Sequence, residues 1–156
     1  MNVLLAQGGI GSVANVHTPD LARAVADYAR GLDFRCQQMV RGVYARLVHG
    51  PLCVQLWACG ARPARWEKPT AAEAAPFEPA RLRVELRGLH ALHASLLRAA
   101  AAPAQRLGAA PIWQPWGAWE TTLTDIDGNV LHLIDRAPGS PARAATPHAP
   151  RAEVGR

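Results

Sequence analysis

The sequence carries one lysine, Lys68, among 17 basic residues. Arginine supplies the rest and alanine is used heavily throughout, which reads first as the codon bias of a GC-rich genome and only second as arginine chemistry. Cysteine is equally sparse. Cys36, Cys53 and Cys59 are odd in number and form no C-x-x-C pair, so neither a disulfide framework nor a zinc knuckle is indicated. No apolar run approaches the ~18 residues of a membrane span. The stretch Met1 to Gly11 has no basic segment and too little apolar length for a secretory signal. At 156 residues the chain is too short for an eight-fold β/α barrel or a two-domain dehydrogenase. A reduced, cytoplasmic protein with no membrane partner is expected.

What is present is an ordinary globular balance, 49% hydrophobic and 19% charged, with a formal charge of +5. Residues 137–156 are rich in proline, alanine and arginine with almost no large apolar side chain, and a disordered tail is expected there. Arg143, Arg151 and Arg156 against Glu153 give that tail part of the charge and leave the remainder basic.

Residues 12–60 begin with a short apolar strand, Ser12 to His17. Thr18 then reads as a helix N-cap, with Pro19 at the first helical position. Leu21, Val25, Tyr28 and Leu32 make one helical face. Strand-like runs follow over Arg35 to Val40, Val43 to His49 and Leu52 to Trp57, separated by Gly42 and by Gly50-Pro51. Residues 61–80, with Pro63, Pro69, Pro76 and Pro79, read as a connector. Residues 81–136 repeat the first order: a strand from Arg81 to Arg87, a helix carrying Leu89, Leu92 and Leu96, and strands near Ile112, from Trp119 to Asp125 and from Asn129 to Asp135. The chain is therefore expected to be α+β, built of two βαβββ modules. Neither can bury its sheet alone, so each helix covers one sheet face while the other curls around a cleft as a curved mixed sheet.

Alternation along the last strand puts Val130, His132 and Ile134 on one side and Leu131 and Leu133 on the other. The leucines fit the helix side, which sends His132 into the cleft as a wall histidine or as a ligand-contacting or acid–base group. By the same alternation Arg83 and Glu85 line the cleft, either pairing internally or meeting a ligand. His90 and His93 lie off the leucine stripe and are expected to face solvent. Trp57, Trp113, Trp116 and Trp119 are flat, mostly apolar groups suited to stacking on a planar ligand, with core or dimer contacts as the alternative. The arginines are scattered, and no recognition helix appears, so no nucleic-acid partner is expected.

Two segments carry a resemblance. Pro115-Trp116-Gly117-Ala118-Trp119-Glu120 followed by Asp125-Ile126-Asp127-Gly128-Asn129 and an apolar strand resembles the P-W-G-x-R-E and D-P-D-G-N pattern of the glyoxalase/bleomycin resistance protein/dioxygenase family, within the vicinal oxygen chelate superfamily. Val16 to Tyr28 and Gly31-Leu32-Asp33-Phe34 resemble its opening strand, helix and "FY…LGF" segment, with Asp27 in place of Phe. Trp119 stands where the family has Arg, whereas Glu120 keeps the acidic position. In the D-x-D-G-N turn, Gly128 and Asn129 also tolerate positive φ, as a hairpin needs.

The resemblance implies a homodimer, with halves often swapped between partners. It also places metal ligands of the metal-dependent members at positions that here hold Val13 or Asn15, Gln55, Arg81 or Arg83, and His132. Of these only His132 is a good ligand, so no cofactor is expected, a divalent metal being the alternative. The expected function is metal-free binding or sequestration of an antibiotic-like planar aromatic molecule. Bleomycin-type drugs are cationic and this chain is basic, so a neutral or anionic ligand is favoured. The alternative is a glyoxalase-like lyase, an isomerase or an extradiol-type dioxygenase acting on a small oxygenated substrate. A metal-free version would use His132 and Glu120 as acid and base.

Overall fold

A computed structural model describes residues 12–74, 76–101 and 103–139. The opening stretch to Gly11, and the expected tail from residue 140 on, lie outside them. The first module runs β1 (Ser12–Thr18), α1 (Leu21–Ala26), β2 (Arg35–Val40), β3 (Tyr44–His49) and β4 (Leu52–Ala58). The second runs β5 (Arg81–Glu85), α2 (Leu89–Ala99), α3 (Pro103–Arg106), β6 (Ile112–Gln114), β7 (Ala118–Thr124) and β8 (Val130–Arg136). They form two four-stranded mixed sheets, ordered β1-β4-β3-β2 and β5-β8-β7-β6. In each, the first strand pairs parallel with the last and the other pairs are antiparallel. Parallel pairing needs a long crossover, supplied by a helix and two strands in the first module and by two helices and two strands in the second.

Helix α1 begins later than its sequence signals indicate. Asp20, not Thr18, is the cap: its carboxylate accepts the Arg23 N–H at 3.0 Å. Thr18 is fully buried; its hydroxyl donates to Asp127 at 2.7 Å and its oxygen accepts the Asp20 N–H at 3.2 Å, ahead of the helix rather than within its first turn. A π-helical turn, Asp27–Gly31, continues α1 and brings Tyr28 and Leu32 into the interior. Strand β5 stops at Glu85, two residues short of the run read from the sequence.

The inner sides of both sheets share one core. Val16, Leu47, Val54 and Leu56 of the first module join Tyr28 and Leu32, and these meet Leu89, Leu92, Leu96, Leu123, Leu131 and Leu133 of the second. Each such side chain contributes about 1.5–3 kcal/mol on burial. The helices thus lie between the sheets, and the outer sides of the sheets turn away from the core. His93 departs from its expected solvent position. It is buried, with Nε2 3.2 Å from the Gly108 carbonyl, because the chain after α3 folds over that side of α2. The three cysteines are free thiols.

The D-x-D-G-N turn joins the modules. Asp125 is buried and accepts N–H groups from Asp127 and Asn129, both at 2.9 Å, the Asn129 side-chain amide at 2.9 Å, and the Tyr28 hydroxyl at 3.1 Å. The Asn129 amide also donates to the His17 carbonyl and its oxygen accepts the Ala80 N–H. Gly128 has the positive φ, +83°, that the turn requires; Asn129 does not, and serves as this clamp instead. A second clasp sits nearby. Arg106 grips Asp27 in a bidentate pair at 2.8 and 2.5 Å and donates from Nε to the Thr124 carbonyl.

Candidate functional site on the outer sheet faces

On the outer face of the second sheet a carboxylate holds the centre. Glu120 of β7 is buried, its side chain 5% exposed. The Trp116 indole N–H, from the turn between β6 and β7, donates to Oε1 at 2.7 Å. His132 Nε2 lies 2.7 Å from Oε2. An ionised carboxylate only accepts hydrogen bonds, so Nε2 carries a proton. In the neutral ring Nδ1 is then the bare nitrogen, free to act as a base or an acceptor, and the side chain is 35% exposed. Arg83 stands opposite His132 in the β5–β8 register and is exposed. Glu85 pairs with Arg136 at 2.8 Å rather than with Arg83. The structure therefore brings His132, Glu120, Trp116, Arg83 and Glu85 to one face.

Trp113 and Trp119 stand on the other side of that sheet. Trp119 pairs in register with Asp135, whose carboxylate caps α2 through the N–H groups of Gly88 and Leu89. Its ring meets His90 edge-on at 4.6 Å, and Trp113 packs against it at 5.4 Å. Alternation along β7 dictates this: Glu120 and Trp119 are neighbours in sequence and so point to opposite sides.

The outer face of the first sheet is aromatic. Trp57 of β4 is opposite His17 and Tyr44 in register, with the Tyr44 ring at 4.6 Å. Trp66, from the connector, stacks on Trp57 at 5.8 Å with the rings 25° apart. Gln55 is on the same face, between Asn15 and Arg46. The connector acts as a strap. Arg65 bonds Glu67 at 3.1 Å and Glu73 at 2.6 Å, and Thr70 gives Glu73 its backbone N–H at 2.9 Å and its hydroxyl at 3.1 Å. The Thr70 N–H, then Arg65, lower the Glu73 carboxyl to about 2. Gly60 lets the strap approach: a Cβ there would sit 2.3 Å from the Glu73 carbonyl oxygen. Beneath it lies a cavity of about 590 Å³ bordered by His17, Cys59, Arg62 and Phe77. Trp66 and Tyr44 were not singled out from the sequence. The available signal for Trp66 was an indole in an otherwise proline-rich polar connector.

The donors do not fit a metal centre of the kind the resemblance describes. Of the positions it names, Asn15, Gln55 and Arg83 offer neither an imidazole nor a carboxylate, and His132 Nε2 is already bound by Glu120. Among the described residues no three His, Cys, Asp or Glu side chains converge as a metal site.

No family model and no curated protein sequence matches the chain. Solved structures do match it in fold. A glyoxalase/bleomycin resistance protein/dioxygenase from Nocardioides aligns at 17% identity and a TM-score of 0.54, covering 92% of this chain and 93% of its own. A bleomycin-binding protein complexed with bleomycin aligns at 19% and 0.54, covering 83% and 100%. A lactoylglutathione lyase from Agrobacterium tumefaciens aligns at 11% and 0.52, covering 83% and 93%. Among the described residues no helix is long and apolar enough to cross a membrane.

Proposed function

From the glyoxalase/bleomycin resistance fold that the chain shares with these structures, we propose that it binds and sequesters a planar aromatic, antibiotic-like small molecule in the cytoplasm, without a metal. The observation that carries this reading is the pair of outer faces: Trp57, Trp66 and Tyr44 on one, Trp116, Glu120 and His132 on the other. Indoles supply stacking area, and the carboxylate–imidazole pair supplies directional hydrogen bonds. Both acidic groups on the second face are already engaged, Glu120 by Trp116 and His132, Glu85 by Arg136. Arg136 cancels Glu85 and Arg83 offsets Glu120, so Arg46 on the first face leaves these groups one positive charge in excess, which favours a neutral or anionic ligand.

The two faces turn away from a shared core, so one chain offers two half-sites. A homodimer that sets the first-sheet face of one copy against the second-sheet face of its partner encloses a cleft, and this is the assembly proposed. Titration with a panel of flat aromatic antibiotics is expected to quench tryptophan emission, with light scattering giving the mass of two chains. A monomer that no panel member quenches defeats the proposal.

The 2.7 Å contact between His132 and Glu120 favours one second reading, a lyase, isomerase or dioxygenase-type enzyme of the same fold in which this pair moves a proton. Turnover of a glyoxal hemithioacetal, a diol or an epoxide that disappears in His132→Ala would select it over sequestration.

A further inference from the structure

A second arrangement of reactive groups lies at the seam between the modules, remote in chemistry from the outer faces. His49 ends β3 on its core side, its ring 5.4 Å from Phe34. Its Nδ1 is 2.9 Å from the Asp33 backbone carbonyl, and its Nε2 is 2.8 Å from Ser95 Oγ on α2. A carbonyl can only accept, so in the neutral ring Nδ1 carries the proton and Nε2 is bare. The Ser95 hydroxyl therefore donates to Nε2. Nucleophile, base and a group that fixes the base's tautomer follow one another within hydrogen-bond reach, the geometry that activates a serine. Asp33 is, among the described residues, the one non-glycine with positive φ, +56°. That conformation holds its carbonyl on the ring, a local strain placed where it orients a reactive group.

His49 and Ser95 border a cavity of about 490 Å³, with Pro51, Ala91 and Leu92 as apolar lining and Arg87 at its edge. We propose that Ser95 is a nucleophile with His49 as its general base, and that the cavity accepts the acyl part of a small ester. Ser95 Oγ forms a bond to the ester carbonyl carbon as its proton passes to His49 Nε2. The carbon–oxygen bond to the leaving alcohol breaks, and that oxygen takes the proton from Nε2. Water then attacks the acyl-serine, giving one proton to Nε2. Cleavage of the acyl bond returns that proton to Ser95 Oγ and releases the carboxylic acid. Arg87 borders the same cavity, tethered by Asp135 and by the Arg136 carbonyl, and its charge would favour an acyl group bearing negative charge.

A fluorophosphonate probe with peptide mapping tests this directly on the full chain. The expected result is one adduct, on Ser95, together with release of nitrophenol from p-nitrophenyl butyrate. His49→Gln should slow labelling by about 100-fold or more, the low end of what a positioned base contributes. Ser95→Cys should exchange fluorophosphonate reactivity for iodoacetamide reactivity mapped at position 95. Tryptophan quenching by aromatic ligands should be unchanged in these variants, since the outer faces are untouched. An unlabelled wild-type chain overturns the proposal whatever the variants do. So does an adduct elsewhere, or equal labelling of Ser95 in a folded His49→Gln protein.

Discussion

The two modules have one topology and two chemistries. Gln55 in β4 and His132 in β8 occupy matching places, each opposite the parallel first strand of its sheet, yet one faces Asn15 and the other Arg83. On the inner side the same strands stay alike, Val54 and Leu56 against Leu131 and Leu133, all at most 1% exposed. The inner side is bound by close packing, where a changed volume costs several kcal/mol. The outer side is packed less completely, with Gln55 and His132 only partly buried. One outer face has become an aromatic stack under a strap and the other a hydrogen-bonded carboxylate under an indole. Duplicating a backbone here has fixed a core and left two faces free to diverge.

The comparison depends on the joint that keeps the modules back to back, and breaking it should have the largest effect. Asp125→Ala leaves the Tyr28 hydroxyl, the Asn129 amide and two backbone N–H groups without their acceptor. A loss of about 3–5 kcal/mol is expected, read as a lower urea midpoint. Burial pushes the Asp125 carboxyl up from its ordinary value, its hydrogen bonds only partly offsetting this. A raised carboxyl binds its proton more tightly folded than unfolded. Its contribution is therefore fully present below the ordinary value of ~3.9 and is lost as pH rises through the folded value. Wild type should lose stability over that rise relative to Asp125→Asn, and a parallel pH profile for the two proteins would contradict it. Arg106→Ala should cost less, about 2–3 kcal/mol, since Asp27 keeps some access to water when its partner goes. Equal losses for the two variants would show that the clasp and the turn fail as one unit.

Much of this was legible because it rests on period and punctuation. The alternation in β8 put Leu131 and Leu133 on the helix side and His132 opposite them, and glycine and proline marked the strand ends to within a residue or two. The errors have a common cause. Thr18 lost the cap to Asp20 because the helix begins only at Leu21: its oxygen takes the Asp20 N–H ahead of the helix, while its hydroxyl is anchored to Asp127, more than a hundred residues away. His93 is buried by the chain after α3, a layer that a helical stripe cannot reveal. Trp66 reaches Trp57 through a connector that has no period at all. The tryptophans in the 113–119 segment look like one cluster in sequence, but pleating sends Trp119 to one side and the turn carries Trp116 to the other. Local pattern fixes a residue's side of its own element, whereas long-range partners decide what it touches.

The faces themselves can be told apart by removing one indole from each. Trp116→Phe deletes a charge-assisted donor to Glu120 and should cost about 1.5–3 kcal/mol. Trp57→Phe removes part of a stack and should cost about 0.5–1.5 kcal/mol. Only the first substitution should move the His132 ring resonances, because only it alters the carboxylate that holds the ring. A shift of those resonances in Trp57→Phe would mean the two faces are coupled through the core.

The smallest effect concerns the strap alone. Glu73 is half-buried in the strap at the surface, its side chain 30% exposed, so its network changes local order and not global stability. Its carboxyl is lowered to about 2 by the Thr70 N–H and then by Arg65. A lowered carboxyl contributes fully above its ordinary value of ~4.3 and loses that contribution as pH falls through the folded value. The Trp66–Trp57 stack should therefore persist down to about pH 4 and come apart toward about pH 2, with the core still folded over the first part of that range. Near-ultraviolet circular dichroism of the stacked indoles should fade while the far-ultraviolet signal holds. Glu73→Ala should show the faded signal already at neutral pH. A stack that survives the substitution would assign Trp66 to Tyr44 and Trp57 by packing alone, and the strap would then owe nothing to its charges.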